Sequence, residues 1–327
     1  MSSKILNVQP FPGVHCETSA TGTLLAPIGI SLSEPMLFGL GEGLSFIYWN
    51  MKTMDAPFFG GRIKQDGITQ NLAKNLQFEL DVKETASIGK AWDNAKTNID
   101  AGVPVGLKLD CYHLDYFTEK IHFAGHYVAL TGYDDTYAYV ADTGRPQKTT
   151  LASLALARSE KGPMSSKNLS YTLSKGREDY DLKTAVKQAI RSNAQAYLSP
   201  PITNISYKGI AKAGKEIKKW FEHGQNIEAE FSQAAMLMEE GGTGGALFRN
   251  LYRDFLKECA ALLAYDEIAE GYELFCDIAP LWSQVAALFR QTAQTQSREP
   301  VDQASEILIE LSQKEKQAME RLSAIAD

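Results

Sequence analysis

Residues 123–142 predict a β-hairpin that carries a histidine near its start and an aspartate at its end. Apolar residues alternate along both arms, and the pair Asp134-Asp135 marks the turn between them. With an odd-length loop, His126 and Asp142 point to the same face of the hairpin, while a strict two-residue loop puts them on opposite faces. Joint action of the two side chains therefore predicts an odd-length loop.

A histidine and an aspartate on one face of a hairpin supply two thirds of a nucleophilic triad. The carboxylate would orient the imidazole, and the imidazole would act as a base. The same pattern also fits a strand histidine that merely has an acidic neighbour. A nucleophile elsewhere in the chain favours the catalytic interpretation.

Cys16 is the candidate nucleophile. It follows a turn at Pro12-Gly13 and opens a stretch of small residues, 16–26, that predicts a helix ended by Pro27. A cysteine in the first turn of a helix has its thiolate stabilised by the helix dipole. The alternative is a buried structural cysteine, which we expect for the remaining three: Cys111, Cys259 and Cys276.

The order of a cysteine near the N-terminus, followed more than 100 residues later by histidine and aspartate, is that of papain-like cysteine peptidases. In such enzymes a glutamine shortly before the cysteine helps to form the oxyanion hole. Gln9 is the candidate for that role in this chain, and the backbone N–H of Cys16 is a second donor.

Several ordered blocks make a more specific resemblance. The segments 15–19 and 37–46, together with 122–128 running into 132–135, resemble the N-terminal domain of the butirosin biosynthesis protein H family. The later block 242–252 resembles the helical domain that accompanies it, for which no function is established. Together these blocks span almost the whole chain.

The resemblance implies a papain-like core with Cys16, His126 and Asp142 as its triad. The namesake of the family moves an aminoacyl group from a carrier-protein thioester onto an amine of an aminoglycoside. We therefore expect a cysteine-dependent acyltransferase of secondary metabolism, which needs no cofactor. Its donor would be an acyl thioester, such as one on an acyl carrier protein, and its acceptor a small-molecule amine. The alternatives are a cysteine peptidase or amidase, and a non-catalytic binding protein with a papain-like shell.

The fold class predicted from the chain is α+β, with an N-terminal catalytic domain over 1–170 and an all-α domain over 176–327. Helical and strand patterns succeed one another in the first part, as in a papain-like core. A loop rich in Lys, Gly and Ser over 159–174 marks the boundary, and beyond residue 181 the pattern is helical throughout.

Three further residues are weak candidates for substrate binding. Glu42 lies in a glycine-rich segment, 39–43, that predicts a turn between two helices, and His122 would line the rim of the active site. Arg249 follows a second glycine-rich segment, 241–245. That segment is either a flexible loop or an anion site at the start of a helix, where Arg249 would contact substrate.

Histidines and a cysteine near the hairpin also invite a metal-site interpretation. The set is Cys111, His113, His122 and His126, which could converge only if residues 122 and 126 shared a helix face. The intervening Phe-Ala-Gly makes a poor helix, so we predict no metal site.

Composition narrows the partners. The net charge of −7 and pI near 5.4 disfavour nucleic-acid binding, because phosphates require a basic surface. The absence of an 18-residue apolar run and of a secretory signal predicts no membrane span and a cytoplasmic protein. Amphipathic helices in the second half are compatible with a homodimer or a monomer.

Overall fold

A computed structural model describes residues 3–51, 54, 56–62, 66–162, 165–176 and 179–326. The chain divides into two compact units. One comprises Met1–Leu37 with Ile68–Tyr180, and the other Phe38–Gly67 with Asp181–Asp327. The first unit combines a sheet with helices and the second is mainly helical, which confirms the predicted α+β class.

The strands in chain order are β1 (Lys4–Ile5), β2 (Ile47–Trp49), β3 (Phe58–Gly60), β4 (Glu79–Lys83), β5 (Val105–Leu109), β6 (His126–Tyr133), β7 (Tyr137–Asp142), β8 (Arg145–Thr150) and β9 (Ser170–Ser174). Within the described part of the first unit, seven of these form one antiparallel sheet in the order β4-β9-β5-β6-β7-β8, with β1 beside β6. Strands β2 and β3 form a separate pair in the second unit.

The α-helices are α1 (Cys16–Leu25), α2 (Glu34–Leu40), α3 (Gly67–Leu76), α4 (Ile88–Asp100), α5 (Leu151–Ser159), α6 (Leu182–Leu198), α7 (Ser206–His223), α8 (Ile227–Glu239), α9 (Arg249–Leu262), α10 (Asp266–Thr295) and α11 (Glu299–Ser323). Short 3-10 helices lie at Ala26–Ile28, Cys111–His113 and Ala246–Phe248. No helix in the described ranges has enough apolar length to cross a membrane.

The sheet of the first unit is covered on both faces. Alternate residues of β5, including Leu107, join a buried cluster with α4 and α5. Gly106 points to the other face, where a Cβ would lie 2.1 Å from the ring of Tyr171. The Tyr171 hydroxyl hydrogen-bonds Thr21 of α1 at 3.0 Å. The small residues of α1 are needed there, since a Cβ on Gly22 would lie 2.5 Å from the Phe11 ring.

A β-bulge sets the register of the β6-β7 hairpin. Four residues, 134–137, separate the innermost pair Tyr133 and Ala138, so the loop is even-length and the predicted odd length is wrong. That register alone would place residues 126 and 142 on opposite faces. The register shifts between Leu130 and Gly132, after which Leu130 faces Val140. The extra residue returns positions 126 and 142 to one face as diagonal neighbours.

The segment Phe38–Gly67 groups with the helices of the second unit, although the sequence analysis places it in a domain over 1–170. Buried aromatic side chains account for this. The ring of Phe46 lies 5.4 Å from Trp282, and Phe38 stacks on Phe248 at 5.3 Å. The amide of Asn193 donates to the carbonyl of Leu44 at 2.9 Å. Such packing between segments far apart in sequence leaves no local signal.

Candidate active site

Cys16 is the first residue of α1 and is partly exposed. The preceding residue, His15, caps the helix, because its Nδ1 accepts a hydrogen bond from the Glu17 N–H at 3.0 Å. An amide at the start of a helix has no acceptor within the helix, so the Cys16 N–H is available to an oxyanion. His15 is buried and serves as the cap of this helix.

The buried carboxylate of Glu34 holds the loop that precedes Cys16. It accepts from the Val14 N–H at 2.9 Å, from the His15 N–H at 2.8 Å and from the Thr18 hydroxyl at 2.8 Å. These bonds satisfy backbone donors at a helix start, where a negative charge also complements the dipole. Glu34 therefore fixes the backbone on which the nucleophile is carried.

A second contact ties α1 to the end of β7. The hydroxyl of Ser19, one turn after Cys16, accepts from the Gly144 N–H at 3.1 Å and donates to the Phe11 carbonyl at 3.1 Å. Gly144 has φ +77, and a Cβ added to it would lie only 3.0 Å from the α-carbon of Pro12. The close approach therefore requires glycine two residues after Asp142.

His126 and Asp142 are bonded across the hairpin. His126 opens β6 opposite Leu109 of β5, and its Nε2 lies 2.8 Å from Asp142 Oδ2. A carboxylate only accepts, so Nε2 carries the proton and Nδ1 is the basic nitrogen. The side chain of Cys16 lies close enough to His126 to raise the pKa of its imidazole. The structure thus brings all three predicted triad residues together.

The charge state of His126 follows from these neighbours. Burial lowers the pKa of its imidazole, but the Asp142 carboxylate and the Cys16 side chain raise that pKa well above its ordinary value. The imidazolium form is therefore favoured at neutral pH. His126 can therefore donate a proton beside Cys16 and, once neutral, act as a base there.

Two aromatic residues complete the surroundings of the histidine and aspartate. Tyr116 donates its hydroxyl hydrogen to Asp142 Oδ2 at 2.8 Å, and the ring of Phe117 meets that of His126 edge-on at 5.5 Å. Burial and the Asp142 charge raise the pKa of Tyr116, so its hydroxyl remains a donor. Sequence reasoning missed both residues, because they lie in an irregular segment without periodicity.

Gln9 and His122 are both in the first unit. Gln9 is exposed in the segment before α1, and its role as an oxyanion donor stays a prediction. His122 is four residues before His126, with an exposed ring that stacks on Tyr112 at 4.0 Å. Its Nδ1 lies 3.1 Å from Asp110.

Glu42 and Arg249 are both in the second unit. Glu42 has φ +52 and lies two residues after the end of α2. The segment 39–43 does not join two helices as predicted, since the next element is strand β2. The role of Glu42 in substrate binding stays a prediction.

Arg249 is a structural residue rather than a substrate contact. Its guanidinium is fully buried and binds both oxygens of Glu315, at 2.8 and 2.9 Å. It also donates to the Leu247 carbonyl at 2.7 Å, while Trp282 donates to Glu315 at 2.6 Å. Every polar group of this cluster is used internally, so the prediction that Arg249 contacts substrate is wrong.

The described residues do not support the alternative in which segment 241–245 is an anion site at a helix start. A 3-10 helix at Ala246–Phe248 separates the glycines from α9, so their N–H groups do not form its first turn. Arg253 is paired with Asp254 at 2.8 Å. The guanidinium groups of Arg249 and Arg253 are therefore both engaged in ion pairs at this helix start.

The four residues weighed as a metal set do not converge. The Cys111 thiol donates to the Ile121 carbonyl at 3.3 Å, and His126 is bonded to Asp142. His113 lies instead against Glu160, with 2.7 Å between Nε2 and a carboxylate oxygen.

Two family profiles match the chain. One, described as "Butirosin biosynthesis protein H, N-terminal", matches residues 15–143, which include all three triad residues. The other, "Domain of unknown function (DUF4872)", matches residues 152–322, more than half of the chain. No curated protein matches this sequence.

Among solved structures, the chain is similar to one from Bacillus anthracis assigned as a C39-like peptidase. The two are 17% identical with a TM-score of 0.40, over 54% of this chain and 100% of that one. The two family matches, in contrast, are consecutive along the chain and follow the order of its sheet-containing and helical parts. The chain therefore belongs to the butirosin biosynthesis protein H-like family, with the N-terminal domain of that family over residues 15–143 and a domain of unknown function over residues 152–322.

Proposed function

We propose that this protein is a thiol acyltransferase, which moves an acyl or aminoacyl group from a thioester to an amine through an acyl-enzyme on Cys16. The observation that carries the proposal is the hydrogen-bonded pair His126–Asp142 with Cys16 beside the imidazole. It supplies a nucleophile, a base and a group that orients the base, which are the parts that covalent acyl transfer requires.

In the first half-reaction the Cys16 thiolate attacks the carbonyl carbon of the donor thioester. The new carbon–sulfur bond forms as negative charge develops on the carbonyl oxygen, where the Cys16 N–H is placed to donate. The donor's own carbon–sulfur bond then breaks, and the departing thiolate takes the proton from His126. The products are a free thiol and an acyl group on Cys16.

In the second half-reaction an amine attacks the acyl-enzyme. Neutral His126 accepts the proton of the amine as the carbon–nitrogen bond forms, with Asp142 stabilising the imidazolium that results. The bond to Cys16 breaks and regenerates the thiolate–imidazolium pair. The product is an amide.

The donor is proposed to be carried by an acyl carrier protein, and the reaction to belong to secondary metabolism. The description of the matching profile as a butirosin biosynthesis protein supports the second point. A carrier-bound acyl group is a thioester, which is a suitable donor because its thiol leaving group departs more easily than the amine of an amide.

Intact-protein mass spectrometry tests the proposal. The native chain and a Cys16→Ala variant are incubated with a panel of acyl thioesters, including acyl-phosphopantetheine carriers, and then with amines or with buffer alone. We expect a mass gain that depends on Cys16 and that small amines discharge at least tenfold faster than water.

Discharge by water at an equal rate would contradict the transferase and establish a hydrolase. A Cys16 that acquires no acyl group from any donor and also resists iodoacetamide would contradict the enzyme altogether. A circular dichroism spectrum identical to that of the native chain shows that Cys16→Ala is folded, so a lost adduct reports on chemistry.

A further inference from the structure

Two histidines and a glutamate converge on the surface of the first unit. A ring nitrogen of His113, a ring nitrogen of His122 and a carboxylate oxygen of Glu160 all lie within 4.8 Å of one another. The tightest separation joins His113 Nε2 and Glu160 at 2.7 Å. The side chains of His113, His122 and Glu160 are 18%, 58% and 31% exposed, respectively. An ion in solvent can therefore reach the group.

A buried carboxylate orients one of these histidines. Asp110 is 2% exposed, and its Oδ2 lies 3.1 Å from Nδ1 of His122. The other oxygen of Asp110 accepts the N–H groups of Tyr112 and Phe123 at 2.9 and 3.0 Å. A carboxylate that accepts from Nδ1 leaves the lone pair on Nε2, which is the arrangement typical of metal-ligating histidines.

We propose that His113, His122 and Glu160 bind a divalent transition-metal ion, with Zn²⁺ as the best fit. Two imidazoles and one carboxylate form a donor set that zinc uses where it keeps a fourth position for water. Ligand bonds of about 2.0–2.2 Å in a tetrahedron separate the donor atoms by about 3.4 Å. The three donor atoms lie within 4.8 Å of one another and the closest pair is 2.7 Å apart, so small rotations of these partly exposed side chains would bring them to that spacing.

The ion would also restrain the segment 113–122, which carries two residues that contact the triad. His113 and His122 stand near the two ends of this segment, and Glu160 lies outside it at the end of α5. Between the two histidines are Tyr116, which bonds Asp142, and Phe117, which contacts His126. Metal binding therefore restrains the residues that position the proposed base, a consequence that rests on the proposed function, whereas binding itself does not.

Metal titrations of the full-length chain in a Cys16→Ala background test the site, since a thiol paired with an imidazole also binds zinc. Co²⁺ absorption and isothermal titration with Zn²⁺ give the stoichiometry and the Kd. We expect one ion per chain, with His122→Ala and Glu160→Gln each weakening binding at least tenfold. His223→Ala, at the end of α7, removes an unrelated histidine and should leave the Kd unchanged.

Absence of saturable binding at millimolar Zn²⁺ in the Cys16→Ala background would overturn the proposal. Retention of the same Kd in both His122→Ala and Glu160→Gln would overturn it too, by placing the ion elsewhere. Both altered side chains are partly exposed, so thermal unfolding of the metal-free variants close to that of the parent shows that lost binding comes from lost ligands.

Discussion

Tyr116 donates its hydroxyl hydrogen to Asp142 at 2.8 Å, on the same oxygen that His126 contacts. Tyr116→Phe removes this donor while keeping the ring in place. A hydrogen bond to a charged group contributes about 1.5–3 kcal/mol, so loss of Asp142 alignment should slow acylation of Cys16 by about tenfold or more.

Single-turnover acylation followed by mass spectrometry measures this rate. Tyr139→Phe is the matched control, because Tyr139 also bonds an aspartate, Asp134, but does so at the turn of the hairpin. Equal rates in the two variants would show that Tyr116 does not position Asp142.

The Asp142 carboxylate should make stability depend on pH through His126. Asp142 raises the pKa of His126 in the folded chain, against the opposing effect of burial. The stabilisation is therefore complete below the unfolded pKa of about 6.5 and is lost as pH rises through the folded value. In a Cys16→Ala background, which removes the thiol beside the imidazole, the free energy of unfolding should fall with rising pH above about 6.5.

Urea unfolding between pH 6 and 10 measures that slope. Adding Asp142→Asn should flatten it, because the neutral amide no longer favours the imidazolium. A slope that is unchanged by Asp142→Asn would assign the pH dependence to another group.

Ser19→Ala should loosen the link between the nucleophile and the acidic end of the triad. The hydroxyl joins Gly144 to Phe11, and its removal leaves a backbone N–H without that acceptor. We expect a loss of about 1–3 kcal/mol in the free energy of unfolding and a lower acylation rate.

Ser159→Ala serves as the control, because that hydroxyl bonds only carbonyls of its own helix α5. Two quantities are compared: the acylation rate at saturating donor, and the donor concentration that gives half of that rate. A change confined to the second quantity would place Ser19 in donor binding and contradict a positioning role.

Arg249→Met should destabilise the second unit strongly. It leaves Glu315 buried without its countercharge, and removing one partner of a buried pair typically costs about 3–5 kcal/mol. Arg253→Met removes a partly exposed partner of Asp254 and should change stability by less than about 1 kcal/mol.

Chemical denaturation of both variants measures the difference. If Arg249→Met were as stable as Arg253→Met yet required more donor or acceptor, the structural assignment of Arg249 would fail and the role in substrate binding would return.

Local patterns were sufficient for many elements and for the three triad residues. Small residues between Pro12-Gly13 and Pro27 predict α1 closely, because its start and end are marked by residues that exclude helix. Alternation marks the hairpin of His126 and Asp142. These signals depend on neighbours along the chain, which the sequence displays directly.

The exact pairing within that hairpin depended on tertiary structure. The even-length loop and the bulge near Thr131 together keep His126 and Asp142 on one face, and neither has a distinctive residue pattern. Strand β1 pairs with β6 beside the bulge, with Ile5 facing Gly132. The bulge therefore lies where a segment more than 120 residues away pairs with β6, a contact that the local sequence does not display.

Sequence by itself thus determined the chemistry that is available: a thiol at a helix start, and an imidazole and a carboxylate on a hairpin. Only the folded chain decided which polar groups remain available for that chemistry. It consumed Arg249 in a buried ion pair and placed Tyr116 on Asp142. The physical reason is that burial and hydrogen-bond partners come from residues distant in sequence. The sequence alone does not distinguish a charged side chain that is solvated from one that is paired.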